Sequence, residues 1–375
     1  IPEDIPAGTT IEGVIDANGK STPYISVRGP IQITGDNVTF KNLKLSFISS
    51  SSMGAKGHRE IFLAGHSLTL DGVDMHEKGA GGSLGGFGSA EDVLLPTVYG
   101  GGFYTNTSIG SHASLTVLHS PKNSQFENIF MGNEAEANEH TAFTGSASLT
   151  LDAFTTIAGE ISAAHTSQAE LTITGDASDD FKVNAISGNE QTTLRVDTSS
   201  VTDTRIDTIG TIEVTNAGTL KPAAGSSLQN VHIYDKSCLD LTALPDAKIT
   251  GNYTGGSASA ADLIFSQDGK ADIAGDVSGI TQVYITNRSI FCEDIPIPDF
   301  AYITASGSYT ENAFSFVERY TRIGYTLPAV NGTWTAMYDR DKNVAEIGSA
   351  DVSCPAYIYT GHITSISTGV TETSP

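Results

Sequence analysis

Residues 149–151 read Leu-Thr-Leu, and the same apolar-x-apolar triplet returns at a nearly fixed interval as far as residue 285. The triplets are Leu149-Thr150-Leu151, Leu171-Thr172-Ile173, Leu194-Arg195-Val196, Ile212-Glu213-Val214, Val231-His232-Ile233, Leu263-Ile264-Phe265 and Val283-Tyr284-Ile285. Their first positions lie 22, 23, 18, 19, 32 and 20 residues apart, and the longest step predicts an irregular turn around Ile249. Repeats of two or three short strands joined by tight turns predict a parallel β-helix.

Length and composition agree with an all-β repeat protein. The chain has 375 residues, which is longer than one globular core usually grows, so two domains or a repeat array is expected. Hydrophobic residues make up 39% of the chain and charged residues only 17%, and no long helical periodicity is visible. Because the apolar residues recur regularly, they can be buried rung upon rung.

The pattern divides the chain into four parts. Residues 1–22 are predicted to be an N-terminal cap, because the first strands of a solenoid would otherwise leave backbone groups unpaired. Residues 23–285 are predicted to form the β-helix, with loop insertions at about 49–112. Residues 286–359 are predicted to be a small C-terminal β cap or accessory module, and residues 360–375 a Ser/Thr-rich tail or linker.

One short pattern recurs at a predicted corner between two strands. It is found in Phe40-Lys41-Asn42-Leu43, Leu70-Asp71-Gly72-Val73 and Phe126-Glu127-Asn128-Ile129. Asn and Gly tolerate a positive φ angle more readily than other residues, so the slot that they share is predicted to be a left-handed corner. Asparagine side chains stacked at such corners are expected to hydrogen-bond along the axis of the solenoid.

Two stretches resemble known proteins. The clearest rung is Ile33-Thr34-Gly35-Asp36-Asn37-Val38-Thr39-Phe40-Lys41-Asn42-Leu43-Lys44-Leu45, which resembles the rungs of right-handed parallel β-helix proteins of the pectate-lyase-like superfamily. The glycine-rich run 98–104, followed by Ser114-Leu115-Thr116-Val117, is similar to parts of large secreted or wall-attached Gram-positive bacterial proteins, many of them adhesin-like. The resemblance covers residues 11–285 and implies a right-handed helix and an extracellular location. Lyases, hydrolases and non-catalytic adhesins all share this fold, so the resemblance leaves the activity open.

Residues 49–139 form the least regular part of the repeat region. Loops that interrupt a solenoid usually emerge on one face, which is often the binding face. The candidate ligand-binding residues are Tyr99, Phe103, Tyr104, Asn106, His58, Arg59, His76 and Glu77. Aromatic rings can stack on sugar rings while neighbouring polar groups orient them. The alternative is that these aromatic side chains only fill the space beneath a glycine-rich loop.

The charge balance bears on the partners. Acidic residues number 43 and basic residues 20, which gives a net charge of −23. This charge repels phosphate backbones and anionic membrane surfaces, so we expect neither nucleic acid binding nor membrane insertion. Asp/Asn-rich turns are compatible with calcium, although acidic solvated faces also occur without any ligand. No other cofactor is predicted.

The cysteines do not form a disulfide framework. A single disulfide between Cys292 and Cys354 is compatible with the sequence, and Cys238 is predicted to be a buried structural thiol. No pair has the C-x-x-C spacing of a zinc site.

An enzymatic function would require catalytic residues, and the sequence does not group such residues into a known motif. A lyase would need a base beside acidic calcium ligands. Residues of these types are Lys56, Arg59, Lys78, Asp71, Asp74 and Glu77. Their spacing matches no lyase motif, and no H-E-x-x-H or G-x-S-x-G occurs. The sequence therefore favours a non-catalytic protein.

Three functional hypotheses follow. The first is a bacterial surface adhesin, part of a larger multidomain chain, that recognises host glycans or glycoproteins through loops inserted in a β-helix. The second is a polysaccharide lyase or glycoside hydrolase, in which the charged residues named above converge in a groove. The third is a structural stalk that displays other domains. An exposed aromatic platform favours the first, and a groove lined by converging charges favours the second.

Overall fold

The computed structural model describes fourteen stretches of the chain: residues 3–15, 24–27, 29–47, 59–75, 95–103, 108–121, 125–133, 140–176, 180–266, 269–285, 303–310, 313–317, 335–339 and 344–348. These stretches contain β-strands and turns and no helix. The chain divides into two compact units, Ile1–Glu213 (unit 1) and Val214–Pro375 (unit 2). The strands pair almost entirely in parallel, and the predicted fold class, a right-handed parallel β-helix, is confirmed.

The described residues of unit 1 form twenty complete strands. They are β1 (Glu3–Ile5), β2 (Thr10–Glu12), β3 (Tyr24–Val27), β4 (Ile31–Ile33), β5 (Val38–Lys41), β6 (Lys44–Phe47), β7 (Glu60–Phe62), β8 (Ser67–Asp71), β9 (Thr97–Tyr99), β10 (His112–Leu118), β11 (Gln125–Phe126), β12 (Ile129–Phe130), β13 (Ser146–Asp152), β14 (Thr156–Ile157), β15 (Glu160–Ser162), β16 (Gln168–Thr174), β17 (Asp180–Phe181), β18 (Ala185–Ser187), β19 (Thr192–Asp197) and β20 (Ser200–Asp207). The next strand, β21 (Ile209–Thr215), contains the boundary between the units.

The strands of unit 1 form three faces. The first sheet has the order β1-β4-β7-β9-β12-β15-β18-β20, and the second has the order β2-β5-β8-β10-β13-β16-β19. Shorter pairings make the third face: β3 with β6, β11 with β14, and β17 with β20. The chain passes through the three faces in order, and each strand then pairs in parallel with the equivalent strand of the next rung. Parallel strands need a crossover connection, and here the other two faces of the rung supply it, which makes the unit a β-helix.

The core of unit 1 is a set of stacked apolar rows. Strands β10, β13 and β16 alternate buried and outward residues, as a sheet with one covered face requires. One inward row consists of leucines in direct register: Leu68, Leu115, Leu149, Leu171 and Leu194. Each of these side chains is at most 1% exposed. Because side chains in a strand alternate with a period of two, this register places the intervening polar residues outside.

Unit 2 repeats the same construction. Its strands are β22 (Thr219–Pro222), β23 (Leu228–Ile233), β24 (Cys238–Asp240), β25 (Asp246–Ile249), β26 (Tyr253–Thr254), β27 (Ala261–Phe265), β28 (Lys270–Ile273), β29 (Val277–Ser278), β30 (Thr281–Ile285), β31 (Ile303–Ala305), β32 (Phe314–Val317), β33 (Thr335–Asp339) and β34 (Val344–Gly348). One sheet has the order β22-β24-β27-β30-β32, and the other has the order β23-β25-β28-β31. Strand β26 pairs with β23 and β29, and β33 and β34 form an antiparallel hairpin.

The longest step between triplets has a different cause from the predicted one. Leu228 pairs with Ile249, and Ile249 pairs with Ile273, so these rungs follow each other after 21 and 24 residues. The triplet that begins at Leu263 lies in the other sheet, beside Leu239. The prediction of an irregular turn at Ile249 is therefore wrong, because Ile249 ends strand β25 and is 1% exposed.

Two of the three predicted corners are left-handed. Asn42 has a φ of 51° and Gly72 a φ of 63°, which confirms the prediction for both. Asn128 does not have a positive φ, so the prediction is wrong at that position. Its side-chain oxygen instead accepts a hydrogen bond from the Glu160 backbone N–H of the next rung, at 2.9 Å. The carboxamide oxygen of an asparagine can accept a hydrogen bond from the next rung in this way without a left-handed backbone at the asparagine itself.

Cys238 is also placed differently from the prediction. Cys238 begins strand β24 with its side chain half-buried, while the next residue, Leu239, points into the core. The alternation of the strand therefore turns the thiol outward, and the prediction of a buried thiol is wrong. Cys292 and Cys354 lie outside the described residues.

Candidate binding site

Three aromatic side chains form a row on the outer face of the first sheet in unit 1. Val98 pairs with Ile61 and with Ile129, and all three side chains are fully buried in the core. The residues that follow them are aromatic in every case: Phe62, Tyr99 and Phe130. Because successive strand residues point to opposite faces, the register that buries the aliphatic row places the aromatic row outside.

The rings of this aromatic row contact one another along the axis. The Phe62 and Tyr99 ring centroids are 5.3 Å apart with an interplanar angle of 13°, which is a stacked arrangement. The Tyr99 and Phe130 centroids are 5.5 Å apart at 36°. Both separations lie in the range where aromatic pairs attract, and each pair contributes about 0.5–1.5 kcal/mol beyond its buried area.

Two further rings close over one end of the row. The His140 imidazole meets the Phe62 ring edge-on at 4.9 Å and lies 5.0 Å from the Tyr99 ring. The Phe103 ring lies 5.4 Å from the Phe62 ring. As a result Phe62 is fully buried although it points away from the core, and His140 is only 7% exposed. Packing beneath a loop, the alternative raised from the sequence, describes this end of the row.

Backbone hydrogen bonds hold this cover in place. The Phe103 N–H donates to the Gln32 side-chain oxygen at 3.0 Å, and the Gln32 amide donates to Asp4 at 3.3 Å. The Gly101 N–H donates to the Asn133 side-chain oxygen at 2.8 Å. Residues 100–103 are thus tied to Asn133 and, through Gln32 of strand β4, to the first sheet, so the Phe103 ring has a fixed orientation.

The other end of the row is more open. Tyr99 and Phe130 are half-buried, and so is Phe103. Beyond Phe130 the outward row continues with Ser162, which is only 9% exposed, and then with the half-buried Ser187, whose hydroxyl donates to the Ser162 hydroxyl at 2.9 Å. An apolar ring face followed by hydroxyl groups is a combination that suits a sugar, which has both apolar faces and polar edges.

The structure brings together only some of the residues predicted from the sequence. Tyr99 and Phe103 belong to the same ring cluster, as described above. Arg59 lies on a neighbouring strand end, where its guanidinium forms an ion pair with Glu127 at 3.0 Å. Both side chains of that pair are more than one-third exposed, so it contributes at most about 1 kcal/mol. The remaining candidates lie outside the described residues: Tyr104, Asn106, His58, His76 and Glu77.

The residues of the catalytic hypothesis have separate partners where they are described. Arg59 binds Glu127, whereas the Asp71 carboxylate binds the His119 ring at 2.7 Å. Asp74 forms a parallel bridge with Lys44 through its backbone. Lys56, Lys78 and Glu77 lie outside the described residues. The contacts of Arg59, Asp71 and Asp74 given above therefore involve three different partners.

The described residues contain neither a candidate metal site nor a membrane-spanning helix. No group of three or more His, Cys, Asp or Glu side chains there is arranged to hold a metal ion. That part of the chain also has no helix that could cross a bilayer. Calcium binding therefore stays a prediction from the sequence alone.

Sequence reasoning missed Phe62, Phe130 and His140. Phe62 and Tyr99 are 37 positions apart in the chain, and Tyr99 and Phe130 are 31 apart, although they are neighbours in the sheet. The signal that could have found them is the register of the first sheet, in which an aliphatic residue is followed by an aromatic one in three successive rungs. His140 carries no such signal, because it reaches the row from a connecting segment.

Comparison with known proteins identifies no relative. No family model matches the chain, and neither a curated protein nor a solved structure matches it significantly. The geometry of the described side chains is therefore the basis on which a function can be proposed.

Proposed function

We propose that this chain is a non-catalytic, extracellular binding module of a bacterial surface adhesin that recognises glycans or glycoproteins of a host. The aromatic row of unit 1 is the observation that carries the proposal. Its open end presents the half-buried rings of Tyr99 and Phe130 beside the hydroxyl groups of Ser162 and Ser187. A sugar ring stacks on the aromatic face of Phe130, and its hydroxyl groups bond to the Ser187 hydroxyl.

Three features support binding over the alternatives. The rings are held by the strand register and by the Gln32 and Asn133 contacts, so little side-chain entropy is lost when a ligand binds. Arg59 and Asp71, which a lyase would need in one groove, contact different side chains, Glu127 and His119. A stalk has no need for an outward row of stacked aromatic rings. The extracellular location and the host ligand come from the resemblance in sequence pattern.

A glycan array tests the proposal with two matched variants. The full chain, Phe130→Ala and Phe154→Ala are applied to the same neutral and acidic glycans, with and without calcium, and released products are followed over time. Phe154 is a suitable control because it is a phenylalanine of the same unit, is 41% exposed and lies outside the aromatic row.

We expect saturable binding without turnover, weakened about tenfold by Phe130→Ala and unchanged by Phe154→Ala. Release of shortened or unsaturated saccharides would replace the binding module by an enzyme. Equal binding by the chain and both variants would remove the aromatic row from the site.

A further inference from the structure

A second aromatic pair lies on the outer surface of unit 2. His232, in strand β23, and Tyr234, just after it, are two residues apart and therefore point to the same side. Their rings stack with centroids 3.8 Å apart and an interplanar angle of 22°. Val231 and Ile233, which flank His232, are at most 2% exposed and anchor the strand in the core. The pair is thus fixed by the backbone beneath it.

Tyr234 keeps a large accessible surface in spite of this stacking. Its side chain is 37% exposed although one face of its ring lies on His232. A phenol ring that is supported on one face and partly exposed is a flat apolar platform with a polar rim, which is the arrangement that sugar rings and other amphipathic rings bind.

Hydroxyl groups continue outward from the platform along the axis. Thr254 lies opposite His232 in the next rung, and Ser278 lies opposite Thr254 in the rung after that. The Ser278 hydroxyl donates to the Thr254 hydroxyl at 3.2 Å. A hydroxyl has one proton and two lone pairs, so this contact leaves the Thr254 proton and the Ser278 lone pairs for a ligand. Neighbouring rungs are about 4.8 Å apart, so Thr254 lies one rung and Ser278 two rungs, about 9.6 Å, from His232, a span that a short oligosaccharide covers.

The negative charge of the chain indicates which class of amphipathic ring ligand the platform would bind. The net charge of −23 disfavours nucleobases of polynucleotides and sulfated or carboxylated sugars. We infer that unit 2 carries a second binding site, in which a neutral oligosaccharide stacks one pyranose ring on Tyr234 and bonds to Thr254 and Ser278 through this ring or its neighbours. The ligand class rests on the proposed function of unit 1, whereas the location of the site does not.

The test is a nuclear magnetic resonance titration of the full chain with two neutral probes, cellohexaose and mannohexaose, each at millimolar concentration. The ring resonances of His232 and Tyr234 are assigned from the variants Tyr234→Ala, Tyr234→Phe and His232→Ala. Tyr309→Ala is the matched control, because Tyr309 is a 46% exposed tyrosine of the same unit outside the platform. Phe130→Ala is titrated in parallel to separate this site from that of unit 1.

We expect saturable shifts of both rings with at least one probe. Affinity at these resonances should fall roughly tenfold in Tyr234→Ala and stay within about twofold in Tyr234→Phe, Tyr309→Ala and Phe130→Ala. Shifts that survive Tyr234→Ala unchanged, or no saturable shift with either probe, would overturn the inference.

The two sites fail in distinguishable ways. Binding that is lost in Phe130→Ala and retained in Tyr234→Ala overturns the second site and supports the proposed function. Shifts at His232 that persist in Phe130→Ala, together with array binding that this variant leaves unchanged, support the second site and overturn the aromatic row of unit 1 as a binding site.

Discussion

Asp235 shows how single side chains organise a turn in unit 2. Its carboxylate accepts hydrogen bonds from the backbone N–H groups of Ser257 and Ala258, at 2.6 and 3.2 Å. Asp276 is held similarly by the Ser308 hydroxyl and N–H, at 2.9 and 2.8 Å. In both cases the partners stabilise the charged form, and the pKa lies below its ordinary value: the Ser257 N–H is the main cause for Asp235 and the Ser308 hydroxyl for Asp276.

This lowering of the pKa predicts acid sensitivity with a defined sign. A carboxyl group whose folded-state pKa is depressed stabilises the fold above its unfolded-state pKa, and that contribution is lost as the pH falls through the folded-state value. We expect Asp235→Asn to make the free energy of unfolding of unit 2 depend less on pH below about pH 4. Denaturant unfolding between about pH 6 and pH 2 measures this, and parallel curves for the two proteins would contradict it.

Tyr253 of unit 2 is a polar side chain that is buried in the core and stabilised by a hydrogen bond. The Tyr253 ring is 1% exposed, its burial raises the pKa of the phenol, and its hydroxyl pairs with the Thr281 hydroxyl at 3.0 Å. Tyr253→Phe removes this hydrogen bond while keeping the ring, so we expect a loss of about 0.5–1.5 kcal/mol in the free energy of unfolding. Tyr309→Phe, at an exposed tyrosine, is the control and should cost almost nothing; equal losses would count against the buried pair.

At the scale of the element, the fold is stabilised mainly by the rows of buried side chains that stack from one rung to the next. Leu149 pairs with Leu115 and Leu171 and is 1% exposed, while Thr150 points outward from the same strand. We expect Leu149→Ala to lower the free energy of unfolding by about 2–5 kcal/mol, because the cavity opens between two rungs that cannot close on it. Thr150→Ala should cost less than about 1 kcal/mol. A larger loss in Thr150→Ala than in Leu149→Ala, measured by thermal or denaturant unfolding, would mean that the register is wrong.

Two glycines in the turns between strands allow the cost of a left-handed backbone to be distinguished from the cost of a steric clash. Gly65 and Gly225 both have a positive φ, 70° and 82°, but a Cβ on Gly65 would overlap the Gly110 carbonyl oxygen, whereas nothing lies near one on Gly225. We expect Gly225→Ala to cost about 1–2 kcal/mol from the left-handed backbone alone. Gly65→Ala should cost clearly more, because it adds a clash between rungs. Unfolding measurements that give equal losses would show that the two rungs do not approach so closely.

The elements also show what could be predicted from the sequence and why the rest could not. The triplets at Leu149, Leu171 and Leu194 do form one row of the second sheet, since their spacing follows the rungs directly. The triplet at Leu263 has the same local pattern but belongs to the other sheet. A triplet records alternation within one strand and carries no information about which face of the rung the strand occupies.

The candidate site shows the same limit. Tyr99 could be selected because aromatic residues cluster around it in the sequence, but its partners Phe62 and Phe130 come from other rungs. Which residues stack is decided by the number of residues in each connecting segment, and these numbers vary from rung to rung. Asn128 could be recognised as a corner residue, yet whether it adopts a positive φ or caps the next rung depends on the neighbouring chain.

At the scale of the whole molecule, the net charge of −23 predicts a preference among ligands. Like charges repel more strongly when little salt is present, since the screening length is about 30 Å at 0.01 M and about 8 Å at 0.15 M salt. We expect a sulfated hexasaccharide to bind more weakly than its neutral parent at low salt, and this difference to shrink as salt is added. Titration calorimetry of both compounds at several salt concentrations measures this. Tighter binding of the sulfated compound at low salt would contradict the prediction.

The most direct test of carbohydrate binding by the aromatic row is an experimental structure of the full chain with the neutral glycan that binds most tightly on the array. We expect a sugar ring in van der Waals contact with Phe130, at about 3.5–4 Å, with hydroxyl groups bonded to Ser187. A glycan that occupies neither this row nor the Tyr234 platform would contradict the binding sites described for both units. A glycan bound only at Tyr234 would contradict the role of the aromatic row.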